Sequence, residues 1–305
     1  MLVHFVHQGT AYLPELDAYA RHLQRLGWAS LVHTNVATIP KAARVIWWMC
    51  GRVTAPMQAK FPDAFHVHEY ASASVPPFAW AKDVAKRWAQ ATPHHRVFQS
   101  PWVRERLCFA DACPFDYRDM GVPDDFFSPG EPHATKEFDF VYAGDMTRLT
   151  ALEHALDAIE ASGKSLLLIG QVPASLQTRL RTGQMVTTGR IPQSQVPAQL
   201  TRARVGLNLV PARPPFSEQT STKLLEYCAL GLPVASIDYA WARRFEQQTG
   251  AHFYWLPKSS HNGDWLHALG IPLEQYQFAT PDVQHLRWGR QVEPMSVWRR
   301  IEEHR

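Results

Sequence analysis

The sequence predicts an α/β chain built from two parallel-sheet units, and three observations carry that expectation. Apolar runs of strand length alternate with helical periods along most of the chain. One stretch rich in proline and polar residues interrupts the alternation, and 305 residues suffice for two cores of ordinary size. A content of 46% hydrophobic and 19% charged residues belongs to a folded chain, because a disordered one is poorer in apolar residues and more strongly charged.

The first unit opens with a βαβ pattern. An apolar run from Leu2 to His7 ends in Gln8-Gly9-Thr10, a helical period covers Pro14 to Leu26, and a second apolar run spans Ala29 to His33. Further strands are expected at Arg44 to Cys50, Ala64 to His68 and Arg96 to Gln99, with a helix from about Phe78 to Gln90. The segment FFSPGEPHATKEF, from Phe126 to Phe138, has no apolar period and reads as a linker. Alternation then restarts: strand Phe138 to Ala143, helix Leu149 to Ala161, strand Ser165 to Ile169, strand Met185 to Thr188, helix Gln195 to Arg202 and strand Val205 to Val210. Helix Thr222 to Leu230 and strand Pro233 to Ile237 complete a second Rossmann-like sheet. The expected domains are 1–130 and 131–285, followed by a C-terminal helix in 286–305 that packs back on the first domain through Val297, Trp298 and Ile301. Two such sheets would face a cleft at their carboxyl ends, where ligands bind in folds of this kind.

Composition narrows the function. The formal charge of +3 is small and the basic residues are dispersed, unlike the concentrated basic face of a nucleic-acid binder. Cys50, Cys108, Cys113 and Cys228 show no spacing of a zinc site or disulfide framework and are expected to be reduced thiols. The N-terminus lacks the features of a signal peptide, and no apolar run approaches the roughly 20 residues that span a bilayer. The expectation is a cytoplasmic protein, at most peripheral on the cytoplasmic face of a membrane.

The stretch SEQTSTKLLEYCALGLPVASID, Ser217 to Asp238, is the most informative. A polar loop leads into a helix with Ser221 as N-cap, so the free backbone N–H groups of the first turn and the positive end of the helix dipole make a diphosphate site. Lys223 adds a full charge in that turn. Glu226, one turn later, tilts back toward the same end, and Glu218 approaches from the preceding loop. A capping box does not explain Glu226, because the position three residues before it is Lys223 rather than Ser or Thr. Two acceptor-only carboxylates beside a phosphate cradle suit a ligand with hydroxyls on both sides, as in a nucleotide sugar.

The Glu-x7-Glu spacing and the Ala-Leu-Gly-Leu-Pro-Val turn after it resemble the donor motif of retaining glycosyltransferases of family 4, in the KLLEY form of bacterial surface-polysaccharide enzymes. The likeness covers about Phe138 to Asp238 well and the first domain in outline. It implies the GT-B fold, with the first domain binding acceptor and the second binding donor. It also implies that Glu218, assigned as catalytic, contacts the transferred sugar, Glu226 the ribose, and the backbone of Ser221 and Thr222 the diphosphate. Val141-Tyr142-Ala143-Gly144-Asp145 with Arg148 resembles the family's first donor loop, where an Arg neutralises pyrophosphate. Gly189-Arg190-Ile191-Pro192 is similar to the loop that holds the base. A Lys usual about five positions beyond the Arg is replaced by Glu153 and His154, which gives Lys223 the missing charge to supply.

In the first unit, Gly9 lets backbone approach a ligand, with a plain βα turn as an equal alternative. The run His66-Val67-His68-Glu69-Tyr70 is expected at a strand end, with His68 as a second catalytic candidate or Glu69 in its place near phosphate or acceptor. The helix FAWAKDVAKRWAQA is expected to pack Trp80, Val84 and Trp88 on the sheet, the alternative being contact with an anionic membrane. The resulting expectation is a metal-independent, retaining hexosyltransferase. Its donor is a UDP or GDP sugar, its acceptor a glycan or lipid-linked molecule of lipopolysaccharide or capsule synthesis, and no cofactor or nucleic acid is involved. The alternatives are a non-hydrolysing sugar-nucleotide epimerase and a catalytically silent nucleotide-sugar binder.

Overall fold

The computed structural model describes residues 1–9, 12–49, 52–128, 136–144, 146, 153–258 and 261–304. The chain divides into two compact units, Met1–Gly121 with Trp288–Arg305, and Val122–Arg287. The division falls earlier than position 130. Val122 and Phe126 are fully buried in the core of the second unit, so Phe126, read as the start of the linker, already belongs there.

The first unit contains β1 (Leu2–Val6), α1 (Pro14–Arg25), β2 (Ala29–His33), β3 (Val45–Met49), α2 (Ala55–Gln58), β4 (Phe65–Tyr70), α3 (Ala79–Ala89), β5 (His95–Phe98), α4 (Pro101–Leu107) and β6 (Phe115–Tyr117). All pairings are parallel, in the order β2-β1-β3-β4-β5-β6. In a sheet of this order the chain reverses direction of growth between β1 and β3, which opens a crevice at their carboxyl ends. Central strands covered on both faces read as unbroken apolar runs, as Val45–Met49 does with VIWWM.

The second unit contains β7 (Phe138–Ala143), α5 (Glu153–Ala161), β8 (Leu166–Ile169), β9 (Met185–Gly189), α6 (Val196–Leu200), β10 (Ala203–Asn208), α7 (Thr222–Ala229), β11 (Val234–Ile237), α8 (Ala240–Thr249), β12 (Tyr254–Leu256) and α9 (Asn262–Gly270). Its order is β12-β11-β10-β7-β8-β9, again parallel throughout. The switch point here lies between β7 and β10. Two apolar layers cover the sheet, one built on α5 and α9 around Leu156, Ile159 and Trp265, the other on α7 and α8 around Leu224, Tyr227 and Phe245.

The chain then returns to the first unit as α10 (Trp288–Val292) and α11 (Val297–Glu303). Val297, Trp298 and Ile301 are buried against Phe5, Tyr19 and Trp47, with the Trp298 and Trp47 ring centroids 5.3 Å apart. The start of α11 is fastened to β6: the Ser296 hydroxyl and amide donate to Asp116 Oδ1 at 2.8 and 3.0 Å, and the Val297 amide to Oδ2 at 2.9 Å.

Several elements were not foreseen. Strands β6 and β12 are three residues each, too short for periodicity, and they sit at sheet edges. Helix α3 corrects a further expectation: its tryptophans do not pack on the sheet. Asp83 takes the inward position, where it accepts the Ser74 amide at 2.9 Å, and Arg87 donates to the Leu107 carbonyl at 3.0 Å. Trp80 and Trp88 are left outside.

Candidate functional site

The site builds up from β10 and α7. Strand β10 is apolar until Asn208, a buried amide at its carboxyl end. A buried amide must find partners, and Asn208 finds three: Nδ2 donates to Ser236 Oγ at 2.9 Å and to the Tyr239 hydroxyl at 3.1 Å, while Oδ1 accepts from Ser221 Oγ at 2.7 Å. Ser221, held in that position, is the N-cap of α7, with its Oγ accepting from the Leu224 amide at 3.3 Å. Tyr227, one helical turn further, donates to the Leu207 carbonyl at 3.3 Å and accepts from the Ala143 amide at 3.2 Å. Burial pushes this phenol far above its ordinary pKa, so it remains neutral. These bonds fix the N-terminus of α7 at the switch point between β7 and β10.

Lys223 is the second residue of α7, and its ammonium donates to Glu226 Oε2 at 2.7 Å. Neither residue stabilises the helix by position, since a cation opposes the positive end of the dipole and the Lys-before-Glu order is the weaker arrangement. Glu226 is only 2% exposed, and its second oxygen lies 3.5 Å from Gln193 Nε2 in the loop after β9. Gly144, at the end of β7, takes φ of +138°, and a Cβ there would stand 3.7 Å from Lys223 Cε. Gly170, at the end of β8 with φ of +148°, runs so close that an added Cβ would lie 2.6 Å from the Gly144 carbonyl. Two glycine-bearing strand ends and a capped helix end therefore lie around one ion pair, its carboxylate buried and its ammonium partly exposed.

Glu218 is placed differently. It closes the short 3-10 segment Phe216–Glu218, and its Oε2 accepts from Arg244 of α8 at 2.9 Å. No hydrogen bond among the described residues joins it to Lys223 or Glu226. Arg190 is exposed after β9 and Ile191 is half-buried against the α7 layer. Thr222 is the half-exposed first residue of α7. Arg148 and Asp145 lie outside the described residues.

In the first unit, Gly9 lines a cavity of about 260 Å³ with His7, Gln8, Trp48, Met49 and Arg52, at the carboxyl ends of β1 and β3. The run His66–Tyr70 does end strand β4, but His68 and Glu69, near its carboxyl end, are buried between β3 and β5. His68 is fully buried, and burial lowers its imidazole to a pKa of about 3, so the ring is neutral near neutral pH and presents no surface to a ligand. Glu69 is the anchor of a buried network: it accepts from Trp47 Nε1 at 2.7 Å, from the Tyr19 hydroxyl at 3.0 Å and from Arg118, which also contacts Glu15 at 3.3 Å.

Sequence reasoning missed Asn208, Ser236, Tyr239 and Gln193. A signal existed for the first of these, because a lone amide in the apolar run VGLNLV conflicts with its surroundings, and such conflicts gather at functional sites.

No family model matches the sequence, and no curated protein matches it. Solved structures do. AviGT4, a glycosyltransferase involved in avilamycin A biosynthesis, aligns with a TM-score of 0.59 at 14% identity, over 99% of this chain and 96% of its own. Sucrose-phosphate synthase from Thermosynechococcus elongatus gives 0.59 at 12% identity over 98% and 96%, and HepE of Anabaena, in complex with UDP and glucose, gives 0.57 at 10% over 96% and 94%. Likeness at these identities establishes the fold. The chain has the GT-B fold, two Rossmann-like domains each with a six-stranded parallel sheet.

Proposed function

We propose that the protein is a retaining glycosyltransferase that moves a hexose from a nucleoside-diphosphate sugar, of UDP or GDP type, to a glycan or lipid-linked acceptor in surface-polysaccharide synthesis. The observation that carries this reading is the Lys223–Glu226 pair at the capped N-terminus of α7, a charge arrangement that helix stability does not explain. A diphosphate at that end meets the free N–H groups of Ser221 and Thr222, the helix dipole and the Lys223 ammonium, with Arg148 adding a second cation. Lys223 then turns from Glu226 to phosphate, and the Glu226 carboxylate accepts the ribose hydroxyls. Gly144 lets backbone approach the phosphates, and the loop bearing Arg190 and Ile191 receives the base. Glu218 receives the hexose hydroxyls, with Arg244 orienting its carboxylate.

Cleavage of the sugar–phosphate bond places negative charge on the leaving diphosphate and positive character on the ring. The cationic cradle stabilises the first, and Glu218 supports the second. These groups neutralise the leaving charge without a metal ion. The departing phosphate oxygen accepts the proton of the incoming hydroxyl as that hydroxyl attacks the same face, so configuration is retained. Gly9 and the cavity around it, at the switch point of the first unit, serve the acceptor.

The test is to incubate the protein with a panel of UDP and GDP hexoses, with and without EDTA, and follow nucleoside diphosphate release. Release that survives EDTA and is lost in Glu218→Ala supports the proposal. Failure of every donor and of free UDP and GDP to raise the melting temperature would sink it, and conversion of the donor sugar without release would point to an epimerase.

A further inference from the structure

Among the described residues, the three most exposed large apolar side chains of the whole chain fall within eleven positions: Trp88 at 83%, Phe78 at 74% and Trp80 at 66%. Val75, three residues before Phe78, is 45% exposed. Side chains this bare stand out from the surface instead of lining a groove. A soluble chain seldom gathers such residues without a partner for them.

The backbone presents them actively. Phe78 precedes the first turn of α3 with φ of 59° and ψ of 36°, a left-handed conformation that is costly for a bulky residue, and no side-chain cap compensates. The strain holds an aromatic ring outward, and observed strain of this kind points to function. Around α3, Asp83 and Arg87 are turned inward to Ser74 and Leu107. The remaining face divides in two. Trp80, Val84 and Trp88 form an apolar side, and Lys82, whose ammonium donates to the Val75 carbonyl at 3.1 Å, and the half-buried Lys86 lie on the other, with no acidic residue on the exposed part of the helix.

We propose that the segment from Val75 to Trp88 is a docking surface for an anionic lipid bilayer. Phe78 and the two indoles enter the boundary between headgroups and acyl chains, where rings with a polar edge and apolar body are most at home. Lys82 and Lys86 attract the negatively charged headgroups alongside. A protein partner fits less well, because the apolar groups are very exposed and the charges on the other exposed side of α3 are of one sign, in place of a polar rim of mixed sign. The loop that carries Val75 and Phe78 leaves the carboxyl end of β4, the same edge of the sheet as the cavity lined by Gly9 and Arg52. This proposal goes beyond the transferase reading and stands without it.

The experiment is co-sedimentation of the full chain with vesicles of phosphatidylcholine alone or with 30% phosphatidylglycerol (about a third anionic headgroups, enough to give a negative surface). Binding to the anionic vesicles only is expected. Phe78→Ser/Trp80→Ser/Trp88→Ser should weaken it at least about tenfold. Lys82→Gln/Lys86→Gln should weaken it roughly twentyfold and remove the preference for anionic lipid. Circular dichroism and melting temperature unchanged from the parent confirm that the variants are folded. The proposal is overturned if the parent chain ignores anionic vesicles, if the triple variant binds them as the parent does, or if the parent forms a dimer that the triple variant abolishes while lipid binding is absent.

Discussion

The two units bury polar groups for different purposes. In the first, the buried polar residues include six histidines, His4, His22, His33, His66, His68 and His95, together with the Glu15–Glu69–Arg118 network. In the second, the buried polar residues among those described are Thr201, Asn208, Ser217, Ser221, Glu226 and Ser236, and four of these belong to the construction around α7. Polar groups that cost desolvation serve architecture in the first unit and, on the proposed function, a ligand in the second. The contrast divides the expected effects of mutation: stability should respond to the first set and ligand binding to the second.

The largest effect is expected at Arg118. Its guanidinium is fully buried between two carboxylates, and burial raises the pKa of Glu15 while Arg118 opposes that rise. Arg118→Met leaves two buried acids without their cation and should cost about 3–5 kcal/mol. Urea denaturation followed by hydrogen exchange of peptides from each unit should show the loss in the first unit. If peptides of 138–237 lose equal protection, the division of labour is wrong.

Acid should separate the units next. Desolvation lowers His68 to about 3 and His66 to about 4 from an ordinary 6.5. Burial is the main cause for His66; its Nδ1 accepts from Trp48 at 3.1 Å, which only the neutral ring can do, while the Phe61 carbonyl 3.0 Å from Nε2 opposes the shift. Because the folded pKa values are depressed, the stabilisation is present above 6.5 and is lost as pH falls toward the folded values. By pH 4 the loss is roughly 3 kcal/mol for each histidine. Glu15 acts in the opposite sense: its raised pKa favours the fold below 4.5, and that benefit fades as pH rises through the folded value. Protection factors, taken relative to the intrinsic exchange rate at each pH, should fall in the first unit well before the second between pH 7 and pH 4, and His68→Leu should narrow the gap. Simultaneous opening of both units in the parent chain would contradict this.

How much was legible in the sequence follows the same contrast. Elements with long periods, such as the β7 strand and the α7 helix, were readable because burial on one or both faces imposes a pattern. The cap and the ion pair of α7 were readable because they are local: Ser221, Lys223 and Glu226 fall within six residues. Glu69 and His68 were misplaced toward a ligand because the partners that justify burying Glu69 come from Tyr19, Trp47 and Arg118, distant in sequence. The tryptophans of α3 were misplaced for a similar reason. Which side of that helix faces in is decided by the Ser74 amide and the Leu107 carbonyl, which need Asp83 and Arg87, and not by the hydrophobic stripe.

A smaller and sharper effect is expected at Lys223. Its removal takes away one charge-assisted bond to the diphosphate, so Lys223→Ala should weaken UDP or GDP binding by about 2–3 kcal/mol, or roughly a hundredfold. Stability without nucleotide should also fall, because Glu226 is left buried without its cation, so the deciding readout is affinity measured on the folded variant below its melting transition. Thermal melting sets that range and calorimetric titration decides it. A large fall in melting temperature with unchanged affinity would place Lys223 with Arg118, among the groups that serve architecture.

The smallest effect tests whether the polar construction in the second unit acts as one piece. Ser221→Ala removes the cap of α7 and should cost about 1 kcal/mol. It also strips Asn208 Oδ1 of its 2.7 Å partner, leaving a buried acceptor unsatisfied, so Asn208→Ala and Ser221→Ala share a penalty. In a double-mutant cycle the two changes should therefore be non-additive by about 0.5–1 kcal/mol in stability, and the same coupling should appear in nucleotide affinity, because the bond that satisfies Asn208 is the one that positions the phosphate-facing helix end. Additive costs in stability with no change in affinity would mean that the network merely fills the space under α7, and the contrast between the two units would then lose its functional half.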